Sequence, residues 1–134
     1  METMRVIFFV LFVAWYHASS AQQPLAKQLY GTWMVEDFTM KGKLQEWETL
    51  RTHVLYLYED GTCKLPIRDI KYKQQGTWQV KEENGTAYLI IESEDAIFTG
   101  SYTITVADNI DGALQTKTLK LEGKQTSFNC KQYF

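Results

Sequence analysis

Residues able to support catalysis or bind a metal are sparse in this chain. His53 is the only histidine beyond residues 1–21, and neither Gly-x-Ser-x-Gly nor His-Glu-x-x-His occurs in the sequence. Asp108, Asn109 and Asp111 carry oxygens that calcium could bind, yet Asp-Asn and Asp-Gly pairs are also ordinary turn residues. The sequence therefore predicts a binding or structural protein and not an enzyme, with no metal and no cofactor.

Residues 1–21 have the features of a secretory signal peptide. Arg5 precedes the apolar stretch 6–16, which is too short to span a bilayer, and residues 19–21 are small, as a cleavage site requires. We therefore expect a secreted or periplasmic chain whose residues 22–134 form one domain with no membrane span. The leader holds one acidic and one basic residue, so the mature chain keeps a formal net charge of −2 and offers no basic stripe to nucleic acid.

The two cysteines of the chain, Cys63 and Cys130, both follow the leader. In an oxidising compartment an even number of cysteines favours a disulfide over free thiols. Alternation along their strands places both side chains on an inner face, so we predict a Cys63–Cys130 bond, which would contribute about 3–4 kcal/mol in the chain-entropy model. The alternative is a pair of buried, reduced cysteines.

A Gly-Thr-Trp triplet occurs twice, at residues 31–33 and at residues 76–78. Period-two alternation puts Trp33 and Trp78 on the inner faces of two strands, each followed two residues later by a valine. A buried indole of this kind can plug one end of a closed sheet, while the glycine lets another backbone or ring approach closely. The two triplets therefore mark the core.

Most of the remaining chain alternates between apolar and polar residues, as half-buried strands do. Asp60-Gly61 and Asn84-Gly85 predict tight hairpins, and we interpret the glycosylation sequon that begins at Asn84 as a turn. We predict an all-β barrel of about eight antiparallel strands, over residues 29–38, 51–59, 62–65, 75–81, 88–91, 95–106, 114–121 and 126–134. Residues 108–112 should form a turn, and residues 44–50 fit either a helical turn or the start of a strand.

The leader, the meander of about eight strands and the triplets at residues 31–33 and 76–78 together resemble the lipocalin family of the calycin superfamily, in particular small bacterial lipocalin-like domains. The resemblance covers the mature chain and implies a single up-and-down barrel that holds one small apolar ligand. The chain departs from that family in three ways. Only Lys131 is placed to stack on Trp33, no helix follows the barrel, and residues 108–112 do not match the second lipocalin signature.

The predicted interior is almost wholly apolar. In a carrier, the ligand would contact Trp33, Leu55, Leu57, Trp78, Phe98, Tyr102, Ile104, Leu119 and Phe128. The alternative is a structural or protein-interaction module with a filled core, which acts through the outward-facing residues Val54, Tyr56 and Tyr58. We reject an outer-membrane barrel, because the hydroxyl side chains at residues 99, 101, 103 and 105 would then face lipid.

The connection after the first predicted strand carries three large apolar residues, Leu44, Trp47 and Leu50, among charged neighbours. The lipocalin resemblance implies that this segment is the first long loop, so we predict that the three residues form a lid over the mouth of the barrel. Packing on the outer wall near Tyr56 and Tyr58 is the alternative.

Overall fold

The computed structural model describes residues 25–133, so the predicted signal peptide lies outside the described residues. These residues form a closed antiparallel barrel of eight strands, and a further two-residue strand pairs with the end of the first. Each barrel strand pairs with the next along the chain, and the last returns to pair with the first. The strands are β1 (Gly31–Met40), β2 (Lys43–Leu44), β3 (Val54–Leu57), β4 (Thr62–Lys64), β5 (Gln75–Glu83), β6 (Thr86–Ser93), β7 (Gly100–Asp111), β8 (Leu114–Glu122) and β9 (Thr126–Tyr133).

This arrangement confirms the predicted all-β, up-and-down barrel. Strand closure between β1 and β9 leaves the apolar face of each strand inside, where the buried residues form one core. Within residues 25–133, no helix is both long and apolar enough to cross a membrane.

Tight turns set the register of the meander. In the β5–β6 hairpin both turn residues, Asn84 and Gly85, have positive φ, as a two-residue type I′ turn requires. In the β3–β4 turn the carboxylate of Asp60 accepts hydrogen bonds from the hydroxyl and the backbone N–H of Thr62, at 2.6 and 2.9 Å. These two bonds lower the pKa of Asp60, because they stabilise its ionised form. Both hairpin predictions are confirmed.

The two Gly-Thr-Trp triplets lie on β1 and β5, and both indoles are buried as predicted. Each triplet needs its glycine for a different reason. Gly31 has a φ of +120°, which L side chains rarely adopt, whereas Gly76 packs so closely that an added Cβ would lie 2.5 Å from the Glu92 carbonyl oxygen. The second glycine therefore allows the close approach of β6 to β5.

The end of the barrel at which β1 begins is closed by the preceding residues. Residues 25–29 form a helical turn, and Leu29 is fully buried. The indole N–H of Trp33 donates to the Leu29 carbonyl oxygen at 2.9 Å. This bond ties the helical turn to β1, so Trp33 plugs one end of the barrel.

The opposite end is closed by residues 94–99, between β6 and β7, which we call the plug turn. Phe98 projects from this turn into the barrel, where its ring centroid lies 5.8 Å from that of Phe128. The guanidinium of Arg68 donates to both carboxylate oxygens of Asp95, at 3.1 and 3.3 Å. The loop between β4 and β5 thereby fastens the plug turn.

The plug turn corrects the prediction of a strand over residues 95–106. Strand β7 begins at Gly100, and within the preceding turn Ala96 is exposed. The apolar–polar alternation of residues 95–99 resembles a strand only by coincidence. These residues form an irregular turn, from which Phe98 points inward.

The predicted turn at residues 108–112 is shorter and lies later, at residues 112–113. Strand β7 continues to Asp111, and the chain reverses at Gly112, whose φ is +62°. The β7–β8 hairpin therefore extends past the last β6–β7 pair, and its apolar residues Ile110 and Leu114 are exposed.

The predicted Cys63–Cys130 disulfide is wrong, since both cysteines are buried and free. Cys63 pairs with Leu57, which pairs with Gly31 at the start of β1, whereas Cys130 pairs with Val35, further along that strand. Strands β4 and β9 are also three strand spacings apart, each of about 4.8 Å. A disulfide needs Cα atoms within about 7 Å, so the two inward-facing thiols cannot be bridged.

Candidate functional site

The nine residues predicted to contact a ligand lie in the barrel core. Ile104 is half-buried and packs against the core, and the others are buried: Trp33, Leu55, Leu57, Trp78, Phe98, Tyr102, Leu119 and Phe128. The Phe128 ring centroid lies 5.4 Å from that of Phe38 and 5.9 Å from that of Tyr102. These side chains pack against one another and fill the barrel, so the inner face is as the alternation predicts and a ligand among them stays a prediction.

The polar atoms of the core are paired with backbone groups. The Tyr102 hydroxyl donates to the Phe98 carbonyl oxygen at 2.7 Å, and the Trp78 indole N–H donates to the Tyr58 carbonyl oxygen at 2.9 Å. Burial raises the pKa of Tyr102 above its ordinary value, and the negative charge of Asp95 raises it further. In the described part of the chain, no buried side-chain nitrogen or oxygen lacks a hydrogen-bond partner. The core therefore presents no unpaired polar group to a ligand.

A hollow of about 170 Å³, which we call the Trp47 pocket, lies where the loop between β2 and β3 crosses β1. Trp47 begins a 3₁₀ helix, Trp47–Thr49, and 56% of its surface is exposed. Its indole stacks on the His53 imidazole, with ring centroids 3.6 Å apart and an interplanar angle of 5°. The pocket is lined by Val35, Glu36, Asp37, Phe38, Gln45, Glu46, Trp47, Leu50 and His53.

One hydrogen bond holds this stack in place. The His53 Nε2 atom lies 2.7 Å from the Trp47 carbonyl oxygen. A carbonyl oxygen only accepts, so Nε2 carries the donated proton. The stack is therefore fixed at both the ring faces and the backbone.

The pocket exists because the β1–β3 ladder stops early. Strand β3 pairs with β1 only as far as Met34, and the next contact is the Val35 N–H donating to the His53 carbonyl oxygen at 2.7 Å. Beyond it, a β-bulge between Val35 and Asp37 lets Phe38 point inward. The loop thus covers a stretch of β1 that lacks a β3 partner, with apolar side chains beneath.

The three predicted lid residues do not act as one unit. Leu44 lies on β2, is exposed and is absent from the pocket lining. Leu50 is 3% exposed, belongs to the core and lines the pocket. Trp47 is both exposed and part of the lining, so a lid role stays a prediction for this residue. Of the two structures that fit residues 44–50, the helical turn is the one observed.

His53 was not predicted as a partner of Trp47. The other lining residues that were not predicted are Val35, Glu36, Asp37, Phe38, Gln45 and Glu46. The spacing of His53 six residues after Trp47 was the one available signal. The β-bulge leaves no clear sequence signature, so Phe38 could not be placed from alternation alone.

A second exposed feature is the outer wall formed by β3, β1 and β9. Tyr56 and Tyr58 face outward as predicted, with parallel rings whose centroids are 6.0 Å apart. Val54, also outward and half-buried, pairs with the exposed Met34, and Tyr133 joins Met34 in lining a shallow hollow of about 410 Å³. These five residues form the outer-wall patch.

Two larger hollows lack the stacked indole of the Trp47 pocket. A hollow of about 280 Å³ between the plug turn and the β8–β9 turn has polar side chains at Thr99, Ser101 and Gln125. A hollow of about 630 Å³ is an open trough on the outer face of β4 and β5, with Thr62 and Gln75 among its lining residues. Only the Trp47 pocket among these three combines a half-exposed, stacked indole with buried apolar residues.

The three possible calcium residues lie on a strand. Asp108 and Asn109 lie on β7 and not in a turn, and the Asp111 side chain is outside what the structure describes. Among residues 25–133, no group of three histidine, cysteine, aspartate or glutamate side chains is arranged to hold a metal ion.

Comparisons with protein-family models, with curated proteins and with solved structures found no match. Lys131 does not stack on Trp33, because alternation along β9 turns Cys130 inward and Lys131 outward, where its ammonium lies 3.5 Å from the Glu36 carboxylate. The comparisons therefore do not assign this chain to a family.

Proposed function

We propose that the protein is an exported, non-enzymatic, lipocalin-like barrel that binds a small, partly apolar molecule in the Trp47 pocket. The observation that carries this proposal is the stack of a half-exposed indole on His53 beside a hollow of about 170 Å³. Phe38 and Leu50, which are 4% and 3% exposed, add only the edges of apolar side chains to its lining. An exposed aromatic ring at the rim of a hollow is typical of small-ligand sites.

The filled core supports a site beneath the β2–β3 loop instead of inside the barrel. An interior ligand would have to displace side chains that already contact one another, such as Phe98 and Phe128. Removing such contacts costs several kcal/mol, because core residues are close-packed. A molecule in the Trp47 pocket displaces none of them.

The sequence supports the remaining parts of this proposal. Residues 1–21 have signal-peptide features, which favours an exported chain, secreted or periplasmic. The triplet at residues 31–33 at the head of a closed eight-stranded barrel favours a lipocalin-like protein. The core lacks unpaired polar groups, which favours binding over catalysis.

The test is titration of the mature protein with small neutral aromatics such as indole and naphthol, followed by NMR. Resonances of Trp47 and His53 should shift, and Trp47→Ala should weaken binding by about tenfold, the equivalent of one lost aromatic contact. Leu44→Ala is the matched control, because Leu44 is exposed on the same loop but does not line the pocket. Equal affinity in Trp47→Ala and the parent protein would refute the site.

A second candidate function is protein interaction through the outer-wall patch. The parallel rings of Tyr56 and Tyr58, together with exposed Met34 and Tyr133, favour it. A photo-crosslinking residue at position 58, compared with one at the exposed Lys81 on β5, tests it in the source cells. One recurrent protein captured from position 58 alone supports this function, and identical patterns from both positions argue against it.

A further inference from the structure

The charged side chains that line the Trp47 pocket are all acidic. Three of its nine lining residues are acidic, Glu36, Asp37 and Glu46, and none is lysine or arginine. The chain as a whole is nearly balanced, with 14 basic and 16 acidic residues, so this excess is local. Clustered carboxylates beside a low-dielectric wall raise the local concentration of cations and repel anions.

The three carboxylates are only partly neutralised by the surrounding protein. Glu36 lies 3.5 Å from the ammonium of Lys131, a pair in which both side chains are well exposed and which is therefore weak. Asp37 accepts a hydrogen bond from the neutral amide of Asn129 at 3.4 Å. Within residues 25–133, Glu46 makes no ion pair. The pocket therefore retains negative charge when empty.

The aromatic stack favours the same sign of ligand. The face of an indole is the negative end of its quadrupole and attracts ammonium groups, tryptophan more strongly than the other aromatic residues. Trp47 is held by its stacking on His53 and by the His53 hydrogen bond, so little side-chain entropy remains to be lost on binding. Carboxylates around a preorganised indole suit a positively charged molecule with an apolar surface.

We propose that the ligand of the Trp47 pocket is a small organic cation, such as a methylated or short-chain alkyl ammonium. This inference rests on the proposed function, because it names the class of molecule that the same pocket binds. The volume of about 170 Å³ limits the cation to a small one. Methyl groups contact Phe38 and Leu50, while the positive charge faces Trp47 and the carboxylates of Glu36 and Glu46.

A pair of isosteric probes tests the charge separately from the shape. Choline and 3,3-dimethyl-1-butanol differ in a quaternary nitrogen that replaces a quaternary carbon, so they have nearly the same size and apolar surface. We expect choline to bind at least about tenfold more tightly to the mature protein, as a desolvated cation–π contact allows. Trp47 fluorescence and NMR shifts of His53 report both titrations.

The outcomes separate this inference from the proposed function. If both probes bind with the same affinity, the pocket is a binding site and the cation assignment is wrong. If neither probe nor the neutral aromatics bind, the pocket itself is refuted. If the alcohol binds more tightly than choline, the carboxylates do not act on the ligand and the inference fails.

A charge-removing variant locates the effect. In Glu46→Gln the ratio of choline affinity to alcohol affinity should fall severalfold, because the carboxylate with no ion pair is lost. Glu83→Gln, at the far end of the barrel beside the β5–β6 turn, is the matched control and should leave the ratio unchanged. Raising the salt concentration should lower the ratio in the parent protein more than in Glu46→Gln. A ratio that is the same in both variants would overturn the assignment.

Discussion

Trp33 and Trp47 are the same residue type in opposite environments. Trp33 is fully buried, and its indole N–H donates to the Leu29 carbonyl oxygen. Trp47 is half-exposed, and the contact that orients it is the stack on His53. One indole therefore holds the fold together, and the other is available to a ligand.

We expect the substitution of each tryptophan by phenylalanine to separate these roles. Trp33→Phe loses a buried hydrogen bond and leaves a cavity, so it should lower the free energy of unfolding by about 2–3 kcal/mol. Trp47→Phe is the control and should change it by no more than about 0.5 kcal/mol, as exposed substitutions do. Urea unfolding measures both, and similar losses in the two variants would contradict this division.

Because the thiols of Cys63 and Cys130 are buried, the free energy of unfolding depends on pH in the alkaline range. Burial raises the pKa of the Cys63 thiol from 9.0 to about 11, and it raises the pKa of Cys130 above its ordinary value as well. Between these values an unfolded thiol has lost its proton and the folded one keeps it. The unfolded state then binds fewer protons, so the free energy of unfolding falls as pH rises above about 9.

Cys63→Ala should reduce that dependence. The slope of unfolding free energy against pH, measured between pH 9 and 11, should be less negative by up to about 1.4 kcal/mol per pH unit. A loss of packing in the variant shifts the whole curve without changing its slope, so the slope isolates the thiol. An unchanged slope would mean that Cys63 ionises in the folded protein as it does in the unfolded chain.

At the scale of elements, the plug turn is the irregular segment on which the closed mouth depends. It has few backbone ladder bonds of its own, and side chains from neighbouring elements hold it. Arg68 pairs with Asp95, and the Thr126 hydroxyl donates to the Ile97 carbonyl oxygen at 2.6 Å. Phe98 is therefore kept in the core by polar contacts to the buried side chains of Asp95 and Thr126.

We predict that Asp95→Asn destabilises the protein by about 1–3 kcal/mol, because it leaves the partly buried Arg68 without its charge partner. The matched control is Glu122→Gln, which removes an equivalent ion pair with Lys120 in which both side chains are more than half exposed. That change should cost less than about 0.5 kcal/mol. Thermal or urea unfolding compares the two, and equal losses would show that the Arg68 pair does not fasten the plug turn.

At the scale of the whole molecule, the barrel is held by its core and by the closure of β9 on β1. The register of that closure runs from Met34 paired with Lys131 to Met40 paired with Thr126, with one bulge. Both ends are capped, by Leu29 on one side and by Phe98 on the other. No covalent link between Cys63 and Cys130 contributes.

The stability of residues 22–134 should therefore be insensitive to reductant. Removing a native disulfide typically costs about 2–5 kcal/mol. We expect the urea midpoint, followed by tryptophan fluorescence and by circular dichroism, to be the same with and without dithiothreitol, and the two signals to coincide as in a single cooperative transition. A lower midpoint under reducing conditions would show that a disulfide forms after all.

Several features could be predicted from the sequence because they depend on neighbouring residues. Alternation identified Leu55, Leu57 and Leu119 as inward, and Asp-Gly and Asn-Gly identified two hairpins. Strand ends were less accurate: β1 begins and ends two residues later than expected, and β3 is shorter. A strand ends where the neighbouring strand no longer offers backbone groups for hydrogen bonding. The alternation of side chains carries no information about that position.

The Trp47 pocket was predicted only in part. Of the three apolar loop residues that were predicted to form a lid, Trp47 and Leu50 line the pocket. The partner ring of His53 and the acidic side of the pocket were missed, because they depend on how the loop crosses β1 and on where the β1–β3 ladder stops. Neither is a property of a single segment.

The sequence alone therefore determined the inner and outer faces of the strands, their antiparallel order and the class of fold, since side-chain period and turn conformation are local. Tertiary structure alone decided that Phe98 enters the core from a turn, that Phe38 follows a bulge, and that Cys63 and Cys130 stay apart. Each of these depends on distances between strands that are remote in the chain. Closure of the barrel sets such distances, and no pattern within one strand contains them.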